Sequence, residues 1–77
     1  MTHHLESIEQ FLAKGDYSIE AASLLEAAMS SGWIDEARPE EIEELCHVLA
    51  SYRPGGGEFL YDEQALHRAC VAAERAL

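Results

Sequence analysis

Six carboxylates fall within ten residues, at Asp35, Glu36, Glu40, Glu41, Glu43 and Glu44, and Arg38 is the only base among them. Like charges this dense repel one another, and their ordinary setting is a solvated helix face. The sharper use is electrostatic mimicry. Carboxylates fixed on a rigid helix imitate a row of phosphates and occupy the basic groove of a nucleic-acid-binding protein, with long-range attraction speeding the encounter. A second constellation is Cys46, His47, His67 and Cys70, residue types that hold zinc when their donors form a tetrahedron. Cys46 and His47 are adjacent, so on a helix they point about 100° apart, and the chain has no Cys-x-x-Cys. His67 and Cys70 share a face at i and i+3. That leaves Cys46, His67 and Cys70 as the zinc candidates, against the plainer role of two thiols buried as small hydrophobes on apolar stripes.

Three more patterns carry less. Glu44-x-x-His47 is half of a carboxylate di-iron motif, but the chain holds one copy and the site needs two, with further inward glutamates. The serines, Ser7, Ser18, Ser23, Ser30, Ser31 and Ser51, have no nucleophile elbow around them and suit caps and surfaces. Gly55-Gly56-Gly57 is followed by Glu58, which repels phosphate, so the run reads as a connecting loop. No acid, base and pocket come together, and the expectation is a protein with no catalysis and no cofactor.

The elements that must position these residues are helices. Ala and Glu are frequent and β-branched residues few. The spacing predicts a first helix from about Thr2, as cap, to Lys14, with Leu5, Ile8, Phe11 and Leu12 on one stripe and Gly15 as left-handed stop. A second helix, capped by Ser18 or Asp16, runs to about Ser30 with Ile19, Ala22, Leu25 and Met29 on its stripe, Ala21, Leu24 and Ala28 alongside, and Gly32 ending it. Trp33 and Ile34 then fold back as a core anchor. Pro39 opens a third helix as its first residue, with Glu40 and Glu41 at the positive end of the dipole and Ile42, Leu45, Cys46, Leu49 and Tyr52 facing inward. Arg53-Pro54-Gly55-Gly56-Gly57 is the strongest break in the chain and reads as a mobile loop. Phe59-Leu60-Tyr61 is extended and apolar, with no nearby strand partner except one that a dimer supplies. Asp62 caps a last helix to the C-terminus, with Tyr61 and Leu66 as hydrophobic staple and Leu66, Ala69, Cys70, Ala73 and Leu77 on its face.

The chain is expected to be one all-α domain over residues 1–77, a bundle of about four short helices with a Pro-Gly-Gly-Gly loop before the last. Its balance of 15 acidic against 5 basic residues gives a net charge of −10 and a pI near 4.5. That disfavours direct contact with nucleic acid or anionic lipid and points to a neutral or basic protein partner. No 18-residue apolar window and no secretory start are present, and two cysteines are too few for a disulfide scaffold, so a cytoplasmic protein with reduced thiols is expected. A chain this short buries only about 60 % of its unfolded surface, which keeps self-association in view.

Short, strongly acidic and helical, the profile resembles as a class the small acidic inhibitors that phages and mobile elements encode against nucleic-acid-handling machinery, some anti-CRISPR proteins among them. That class shares no motif, so the resemblance implies a mode of action and transfers no residue. The expected function is an inhibitor or regulator that sets Asp35, Glu36, Glu40, Glu41, Glu43 and Glu44 against a basic surface. Trp33, Tyr52, Phe59 and Tyr61 add apolar grip, since aromatic residues are common in binding hot spots. The alternative is a structural or assembly protein that homodimerises through an alanine-rich or Phe59-Leu60-Tyr61 surface, its acidity serving solubility. A zinc-dependent regulator using Cys46, His67 and Cys70 ranks below both.

Overall fold

A computed structural model describes residues 3–30, 38–58 and 60–77. The order is α1 (His3–Lys14), α2 (Ile19–Met29), α3 (Glu40–Ala50) and α4 (Glu63–Ala76), an all-α bundle. Gly15 ends α1 with φ +67°, a conformation that costs glycine little. Its N–H donates to the Phe11 carbonyl. Ser18 caps α2 by accepting from the Ala21 N–H at 3.2 Å, and Asp62 caps α4 by accepting from the Ala65 N–H at 3.0 Å. Each satisfies a donor that the helix itself leaves unpaired. Pro39 stands one place earlier than expected, as the cap of α3 and not its first residue. Its carbonyl accepts from the Ile42 and Glu43 N–H groups. The expected cap Thr2, the stop Gly32 and the anchor Trp33 lie outside the described residues.

Each helix packs against two others, α1 on α2 and α4, α3 on α2 and α4, with the broadest contact between α3 and α4. All four contribute to one core, where Ile8, Met29, Ile42, Leu45, Leu66 and Cys70 are wholly buried. Burying a side chain of that kind is worth roughly 1.5–3 kcal/mol, so these positions dominate what holds the helices together.

The faces of α2, α3 and α4 differ from expectation at a few positions. Ile19 is 55 % and Leu24 74 % exposed, while Ala22, Leu25 and Met29 of α2 are buried and Ala21 and Ala28 pack partly against the core. Leu77 lies beyond the end of α4 and is exposed rather than part of its buried face. Val48 is buried in α3 while Cys46, expected inward, is half-buried at the edge.

Phe59 lies outside the described residues, but the segment around it finds a partner within the chain. The Tyr61 N–H donates to the Ser51 carbonyl at 3.0 Å and the Arg53 N–H to the Tyr61 carbonyl at 2.9 Å, forming a single parallel bridge between Tyr52 and Tyr61. No dimer is needed to satisfy it. Within the glycine loop, the Gly56 N–H donates to the Arg53 carbonyl at 2.8 Å and the Gly55 N–H to Glu63 Oε1 at 2.9 Å. The loop thus carries one hydrogen bond within itself and one to the first residue of α4. Among the described residues no helix is long and apolar enough to cross a membrane.

Candidate functional site

Glu40, Glu41, Glu43 and Glu44 are all exposed, on a helix whose other side, Ile42, Leu45, Val48 and Leu49, is buried. At 100° per residue, Glu40, Glu43, Glu44 and His47 fall within an arc of about 100°, with Glu41 to one side. Burial of the inner stripe fixes the helix backbone from which these glutamates project outward. Glu40, Glu41 and Glu43, in the first turn, also set negative charge against the positive end of the helix dipole. Arg38, the cation of the acidic run, is directed toward the Cys46 sulfur, with Nη1 at 4.0 Å from Sγ. Asp35, Glu36 and Trp33, the remaining members of the expected surface, lie outside the described residues.

Tyr52 and Tyr61, expected to add grip, are half-buried against the core. The Tyr52 hydroxyl donates to the Tyr17 carbonyl, and burial raises its pKa, with Glu63 and other acidic neighbours adding to the shift. Tyr61 meets the exposed His47 ring edge-on, centroids 6.0 Å apart. Both aromatics thus close the α3–α4 end of the bundle, and Leu60 beside them is 38 % exposed.

The zinc candidates are not brought together: among the described residues no three His, Cys, Asp or Glu side chains gather where a metal could be held. Cys70 is buried in the core and its thiol is pushed up to about 12, first by burial and then by Glu74. Burial also raises the Cys46 thiol, against a lowering by Arg38. Neither sulfur is a ready thiolate at neutral pH.

Tyr17 is the residue that the sequence reading missed. Its ring packs against Phe11 at 5.1 Å, its hydroxyl meets His67 Nδ1 at 2.7 Å, and its carbonyl takes the Tyr52 hydroxyl. One turn residue therefore joins α1, the end of α3, and α4. The available signal was its position directly before the Ser18 cap, where an apolar side chain staples a helix entry against the fourth helical residue, here Ala22. Tyr17, Glu63, Gln64, His67 and Arg68 line an open depression of about 350 Å³. Tyr17 and His67 engage each other there, and Glu63 accepts from the glycine loop.

A second depression, of about 190 Å³, lies between α1 and α2 and is lined by Phe11, Lys14, Ala21, Leu24, Leu25 and Ala28, with Ser7 and Gln10 at its edge. No residue is shared between it and the α3 carboxylate row. Comparison with family models, curated proteins and solved structures returned no match for the chain.

Proposed function

We propose that this chain is a non-catalytic, protein-binding inhibitor or regulator that presents the α3 carboxylates to the basic surface of a nucleic-acid-handling protein. The observation that carries the reading is the exposure of Glu40, Glu41, Glu43 and Glu44 on a helix held from behind by core residues. Residues four apart rise about 6 Å along a helix, so Glu40 and Glu44 form a spaced, oriented pair of charges and not a diffuse tail. The net charge of −10 extends attraction beyond the contact itself and favours rapid encounter with a basic partner. A partner of this kind is consistent with a cytoplasmic setting.

The test is affinity capture from nuclease-treated host lysate with elution in steps of rising salt, followed by affinity measurement on the retained partner. Replacing Glu40, Glu41, Glu43 and Glu44 together by Gln preserves helix propensity while removing four charges. Binding is expected to weaken by about tenfold or more, with a flatter dependence on salt. Equal affinity of wild type and the Gln variant for that partner would sink the reading.

A further inference from the structure

We draw no further inference here: the strongest candidate, the open depression of about 350 Å³ between Tyr17 and the first turns of α4, is lined by exposed and half-buried side chains, and nothing in the structure shows what occupies it.

Discussion

Cys70 shows at the residue scale how position converts a reactive type into a structural one. Its thiol is wholly buried and its pKa rises from 9.0 to about 12 through burial and the nearby Glu74. A raised folded-state value means that the unfolded chain releases the proton first. The stabilisation is complete below about pH 9 and lost as pH climbs toward 12. Tyr17 and Tyr52, both raised by burial, act in the same direction. Denaturation at stepped alkaline pH should give a midpoint that falls steadily over that window. Cys70→Ala should flatten the fall while costing about 1–2 kcal/mol at neutral pH through the smaller side chain. An unchanged alkaline limb in Cys70→Ala would show that the tyrosines alone set it.

The connection from α3 to α4 is decided at the element scale. Proline and three glycines end a helix in any context, but their path here is specified by the Tyr52–Tyr61 bridge and the Gly55 contact to Glu63. Gly56 has φ +74°, and a Cβ built there would stand 3.2 Å from the Asp62 Cβ, whereas one at Gly55, φ +82°, would meet nothing within 4 Å. Both alanine substitutions incur the left-handed backbone cost of about 1–2 kcal/mol, and Gly56→Ala adds crowding against the α4 cap. Urea denaturation should therefore rank Gly56→Ala below Gly55→Ala, and both below wild type. Equal midpoints for the two variants would mean that the Asp62 approach contributes nothing.

Charge acts on the whole molecule. A net −10 on 77 residues opposes compactness, and the Debye length shrinks from about 30 Å at 0.01 M to about 8 Å at physiological ionic strength. Screening over that range should raise the thermal midpoint of a fixed protein concentration. The rise is about 4–8 °C if the relieved repulsion is ~1 kcal/mol. Calorimetry on wild type and on the fourfold Gln variant checks this, since the variant should start higher and respond less. A midpoint that falls with salt would assign net stabilisation to the charges.

Much of this was legible in the sequence, because it depends on local rules. Ser18 and Asp62 as caps, Gly15 as stop, and Ile8, Leu25, Ile42, Leu45 and Leu66 as core follow from side-chain hydrogen bonding, backbone freedom and a 3.6-residue period. The exposure of the α3 glutamates was legible for the same reason, since the apolar stripe opposite them leaves no other orientation. What periodicity could not decide was which apolar residues the neighbours would cover. α2 is apolar on nearly every side, so its pattern fits several rotations. Only the placement of α1 and α3 against it buries Ala22, Leu25 and Met29 and leaves Leu24 and Ile19 in water. The same holds for the Tyr52–Tyr61 bridge and the Tyr17 junction. They join positions distant along the chain, and such contacts arise from the packing of whole helices rather than from any local sequence preference.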